Sequence, residues 1–148
     1  MASDPCDLDR FLKAQEDSYD TALDELKAGR KRSHWIWFVF PQLAGLGQSP
    51  TSQFYGITSL DEAVAYLQHP ILGGRLHESL KVLQTLEETS ADHVFGELDA
   101  MKFRSSLTLF AEADPADPIL EAALDRWFDG RKDEKTLQLL GASSLRGA

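Results

Sequence analysis

Apolar residues recur at helical spacing along most of the chain. Between residues 7 and 28, Leu8, Phe11, Leu12, Tyr19, Ala22, Leu23 and Leu26 share one helical face, with Asp7 placed to cap the helix and Gly29 to stop it. The opposite face carries Asp9, Glu16, Asp17, Asp20 and Asp24, an expected solvated acidic stripe. Ser59 and Glu62 form a capping box ahead of a second helix. Its predicted inner face is Leu60, Ala63, Val64 and Leu67, and Pro70 ends it, with His69 at the end to cap carbonyls. Leu76, Leu80, Leu83 and Leu86 keep the helical period after Gly73 and Gly74. Residues 90–113 predict a short turn or helix followed by a longer one. Pro118 sits near the first turn of a further helix that closes at Gly130. A short element from about Asp133 to Leu140 comes last, and Gly141 onward reads as a frayed tail.

Two segments interrupt this periodicity. From Ser33 to Phe40 the Trp, Ile, Phe and Val residues favour a strand, whereas Ser33 before an apolar run is also a helix N-cap signal, so both remain open and propensity leans to strand. Residues 41–58, rich in Gly, Pro, Ser and Gln, predict a long loop, ordered because Leu43, Leu46, Phe54 and Tyr55 can anchor it. With six or seven helical segments, no alternating strand pair and no internal repeat, the expectation is an all-α fold. It is a single domain over residues 5–141, resembling an orthogonal bundle with a long ordered loop, and 142–148 form a flexible tail.

Composition narrows the function classes. A chain of 148 residues that is 43% hydrophobic can bury a core. Its 24 acidic against 15 basic side chains give a net charge of −9, which disfavours non-specific nucleic-acid binding and anionic membrane surfaces. The lone Cys6 leaves no intramolecular disulfide or cysteine-rich zinc site and fits a reducing compartment. The first ten residues, with Asp4, Asp7 and Asp9, do not form a signal peptide. The longest apolar run, Trp35 to Phe40, falls far short of the roughly 20 residues that span a bilayer. These features together predict a cytoplasmic protein.

Candidate chemistry concentrates in two strings. In "GRKRSHWIWFVFPQLAGLG", residues 29–47, Arg30, Lys31, Arg32 and His34 can present donors to one anion, and Trp35 and Trp37 can offer faces to a planar ring. His34 is the candidate general acid or base, and Gln42 follows in the loop as a further ligand contact. In "DAMKFRSSLTLF", residues 99–110, Lys102, Ser105, Ser106 and Leu109 fall on neighbouring positions if the segment is helical. The plainer alternative is a core helix whose hydroxyls bond back to the preceding turn, beside cations that complement the end of the first helix. No phosphate-loop or dinucleotide fingerprint is present, no cofactor is indicated, and His77 and His93 lack metal-ligand spacing.

The strings "RKRSHWIWFVFPQLAGLGQSP", "YGITSLDEAVAYLQHPILGGRLHE" and "MKFRSSLTLF" resemble a bacterial, mainly helical family of unknown function, often mislabelled calpastatin, whose structural prototype is mycobacterial. The likeness covers about residues 5–141. It implies a helix rather than a strand through Ser33 to Phe40 and supplies no activity. A more distant similarity, to helical proteins that process NAD or ADP-ribose derivatives, implies only a ligand class. Two functional expectations follow. In the first, a phosphate-containing or nucleotide-like small molecule is held by Arg32, Gln42, Lys102, Ser105 and Ser106 and stacked on Trp35 or Trp37. In the second, the chain is a non-catalytic interaction module whose acidic face, Asp9 to Glu25, meets a basic partner.

Overall fold

The computed structural model describes residues 7–87 and 90–147, with side chains as far as Gly141. Cys6 and the side chains of the expected tail lie outside the described residues. The described chain forms α1 (Asp9–Lys27), α2 (Ile36–Val39), α3 (Pro50–Tyr55), α4 (Leu60–Gln68), α5 (Leu72–Gln84), α6 (Ala91–Phe95), α7 (Glu97–Ala113), α8 (Pro118–Phe128) and α9 (Glu134–Gly147). The last helix thus runs past Leu140, where the sequence placed its end.

Helix α7 is the axis of the fold. It packs against α2, α4, α6, α8 and α9 and is buried nearly all round from Phe103 to Ala111, as expected of a helix without a single apolar stripe. Around it, α5 joins α1, α4 and α8.

The segment from Ser33 to Phe40 is not a strand. A single helical turn spans Ile36–Val39 behind Trp35, and Ser33 does not cap it. Trp35, Ile36, Phe38, Val39 and Phe40 are all buried. Phe40 and Phe95 pack on Phe103 with ring centroids 4.9 and 4.6 Å away, so the burial supplied by α6 and α7 overrides strand propensity. Buried Gln15 of α1 fixes this turn by donating to Phe38 O at 2.6 Å.

The long loop contains helix α3, capped by Ser49, whose hydroxyl accepts the Ser52 amide at 3.1 Å, with Pro50 at the first helical position. An isolated parallel bridge pairs Leu43 with Ile57 and closes the loop on itself. Arg10 secures its far end, donating to Phe54 O, Gly56 O and the Glu62 carboxylate at 2.9, 3.1 and 2.7 Å. Leu43 is an anchor, but Phe54 is exposed.

Two end-of-helix readings and one helix face also change. Asp7 adopts a positive φ and Leu8 occupies the N-cap of α1 without a side-chain cap. On α4 the buried face is Glu62, Ala63 and Tyr66 rather than one including Leu60, because Glu62 turns inward to Arg10 and to the Thr58 hydroxyl. His69 caps amides, not carbonyls: its Nδ1 accepts from Ile71 and Leu72 at the start of α5.

Glycine is required at Gly29 by its backbone angle and at Gly73 by its surroundings. Gly29, at φ +74°, follows α1 in a Schellman arrangement, with Arg30 N donating to Glu25 O and Gly29 N to Leu26 O. Gly73 lies where α5 meets the end of α4, and a Cβ there would sit 2.0 Å from Leu67 O, whereas one on Gly74 would meet nothing within 4 Å. Gly73→Ala is therefore expected to lower stability in urea unfolding by about 3 kcal/mol. Gly74→Ala should raise it by about 0.5 kcal/mol through helix propensity.

Candidate functional site

The turn that joins α1 to α2 is organised by one carboxylate. Glu25, on the last turn of α1, accepts from the Arg32 amide (2.6 Å), the Ser33 amide (2.8 Å), the Ser33 hydroxyl (2.6 Å) and Trp35 Nε1 (3.0 Å). Burial pushes this carboxyl up, but the donors outweigh it and bring it from 4.5 down to about 2. The turn thereby points Arg32 and His34 to solvent and Trp35 into the core.

Lys31, between those exposed cations, turns inward. Its side chain is 6% exposed, its ammonium lies 2.6 Å from Asp99 Oδ2, and it sits 5.1 Å from the centre of the Trp35 ring. Asp99 Oδ1 is 3.6 Å from Lys102 Nζ, and Lys102 Nζ in turn lies 4.8 Å from the centre of the Trp37 ring. Two ammonium groups thus share one carboxylate, and each covers a tryptophan face. Because Asp99 is held closely by Lys31, the charge of Lys102 is only loosely countered.

Lys102 opens onto a groove of about 290 Å³ between the loop at 42–47, α7 and the start of α9. Its polar wall is Gln42, Lys102, Ser105, Asp133 and Lys135, and its apolar wall is Leu46, Leu98 and Met101. Local structure positions both sides. The bridge between Leu43 and Ile57 holds Gln42, whose carbonyl accepts from Ile57 N at 3.0 Å. Arg104 of α7 donates to Arg131 O and Lys132 O at 2.7 and 2.8 Å, and Asp133 N donates to Thr108 Oγ1 at 2.8 Å, which seats the entry to α9. Asp133 caps that helix through the Thr136 amide and hydroxyl at 3.0 and 2.6 Å, so its carboxylate is already engaged.

Of the residues singled out from sequence, Gln42, Lys102 and Ser105 meet in this groove, and Trp37 adjoins it beneath Lys102. Arg32 and His34 are exposed and do not line it, and Trp35 is core. Ser106 is buried, does not line the groove, and has no hydrogen-bond partner for its hydroxyl among the described residues. Ser105 and Thr108 bond back to Met101 O and Arg104 O at 3.1 and 2.8 Å, as the plainer reading of this helix expected, whereas Ser106 does not. The residues that sequence did not select are Glu25, Leu98, Met101 and Lys135, and Lys31, selected there as an anion donor, is instead buried against Asp99. The donors Ser33 and Trp35, following so soon after the helix stop at Gly29, signal an acceptor at the end of α1 without distinguishing Glu25 from Asp24.

Comparison with known proteins places the chain. The family described as "Protein of unknown function (DUF1810)" matches residues 5–140. The chain belongs to the DUF1810 family. Its fold is similar to that of the conserved hypothetical protein Rv1873 from Mycobacterium tuberculosis, a crystal structure with 49% sequence identity and a TM-score of 0.91. That match covers 93% of this chain and 99% of the mycobacterial one. No match is found among curated proteins. The all-α, single-domain fold that the sequence motifs imply is thus the DUF1810 fold.

The Glu25 clamp of this DUF1810 protein makes a pH-dependent contribution. Its folded-state value lies below the ordinary one, so the stabilisation is complete above about pH 4.5 and is lost as pH falls toward about 2. After solvent screening at this half-buried group, Glu25→Gln is expected to cost about 1–2 kcal/mol at pH 7. In urea titrations across pH, the difference between variant and parent should close over that acid window.

Proposed function

We propose that this protein binds a small anionic metabolite, bearing a phosphate or a carboxylate, in the groove beside Lys102, in a cytoplasmic setting. The observation that carries this reading is local: in a chain of net charge −9, Lys102 and Lys135 face one concavity together with the Gln42 amide. Charge-assisted donors of this kind recognise phosphate or carboxylate oxygens. Among the described residues, no helix is long and apolar enough to cross a membrane.

In this reading the roles differ from those assigned from sequence. Lys102 and Lys135 are the anion-holding pair, Gln42 contributes a directional donor, and Arg32 and His34 take no part. Trp37 acts by seating Lys102 rather than by stacking a ring. The acidic face of α1 is the weaker site for a partner. Asp17, Asp20 and Asp24 are exposed on it, but Glu25 is drawn into the turn and no large apolar side chain is exposed among them to anchor an interface.

A thermal-shift panel of inorganic phosphate, sugar phosphates, nucleotides and ADP-ribose tests the proposal, since a ligand of the folded state raises Tm by mass action. The expected result is a shift abolished by Lys102→Gln, with affinity about tenfold weaker in Lys135→Gln and unchanged in His34→Ala. A shift of the same size in Lys102→Gln would sink the assignment.

A further inference from the structure

We infer that the anion bound in this groove carries a short, unbranched hydrocarbon body, as in an alkyl carboxylate or alkyl phosphate, and not a nucleobase. This rests on the anion reading above and adds the class of ligand. The first support is the apolar wall. Leu98 and Met101 are 75% and 62% exposed, one helical turn apart on α7, and Leu46 is half-buried opposite them in the same groove. What sets these two apart from the other exposed apolar side chains, Phe54, Leu60 and Ile71, is that they are adjacent in one groove, and a thioether beside a leucine makes an adaptable surface for a flexible chain.

The second support is what the groove lacks. None of its lining residues is aromatic, and the rings next to it are engaged: Trp37 has Lys102 over one face, and Trp35 is 1% exposed beneath Lys31. A planar base would find no stacking partner. The third is size. A groove of about 290 Å³ lies at the lower edge of small-molecule sites and cannot enclose a dinucleotide-sized ligand. Head and body are then divided between the two walls, with the anionic head on Lys102 and Lys135 and the chain along Leu46, Leu98 and Met101. The net charge of −9 disfavours delivery from an anionic bilayer, so the ligand is a free molecule.

The chain has only two methionines, Met1 and Met101, so a methyl-13C-methionine spectrum contains one signal from the groove, assignable by its loss in Met101→Leu. Hexanoate and hexyl phosphate are expected to move that signal saturably. Affinity should rise about threefold per methylene from butanoate to octanoate. Lys102→Gln should abolish the response, and Leu98→Ala, at an exposed position that leaves folding intact, should flatten the chain-length dependence. If inorganic phosphate and ADP-ribose moved Met101 through Lys102 as strongly as the alkyl anions, the hydrocarbon body would be overturned while the anion groove stood. Hexan-1-ol binding as tightly as hexanoate, or a Met101 signal indifferent to every probe, would overturn both.

Discussion

A single carboxylate at the end of α1 holds the least regular part of this molecule in place. By collecting two amides, a hydroxyl and an indole N–H from residues 32–35, Glu25 forces the chain to reverse just after the Gly29 stop and drives Trp35 into the core. The single turn of α2 can then bury Ile36, Phe38 and Val39 among α1, α3 and α7, with Phe40 after it against α6 and α7, and Gln15 and the loop at 41–58 close around it. The cations next to the apolar run have separate fates set by this turn: Arg32 faces solvent, whereas Lys31 becomes a buried partner of Asp99. A buried ammonium is costly unless it is paired, so the position of Asp99 on α7 is coupled to the geometry of the turn.

Helix α7 links that core to the groove. Its middle is buried nearly all round, and the Ser105 and Thr108 hydroxyls are accommodated by bonding to the preceding turn, while its first two turns emerge from the core carrying Leu98, Met101 and Lys102. A side chain on an element this tightly packed is fixed by many neighbours. Lys102 accordingly stands over Trp37 with Asp99 behind it, an ordered donor where a lysine on a loop would be a mobile one.

Where helices have an amphipathic period, the sequence was legible: α1, α5 and α8 follow from spacing, the end of α1 from Gly29, and the start and end of α8 from Pro118 and Gly130. Four residues contain too little period to distinguish a turn from a strand, which is why α2 was ambiguous until family motifs were considered. Glu25 looked like its neighbour Asp24, since nothing in local sequence says which acid faces the returning chain. The Arg10–Glu62 pair joins residues 52 apart, beyond any local pattern, and its formation moved the inner face of α4. Lys102, Ser105 and Gln42 could be picked out as polar groups in apolar surroundings. Leu98 and Met101 were missed because an apolar residue on a core helix reads as core.

The contrast between the lysine pair and the charge of the whole chain has a kinetic side. An anion approaching a body of charge −9 is repelled at long range and attracted only within the last few ångströms, where Lys102 and Lys135 dominate. Added salt screens the distant repulsion before it weakens the close attraction, because the screening length at physiological ionic strength is about 8 Å. The association rate of an anion at this groove would then rise with ionic strength before it falls, the opposite of what simple opposite-charge steering produces.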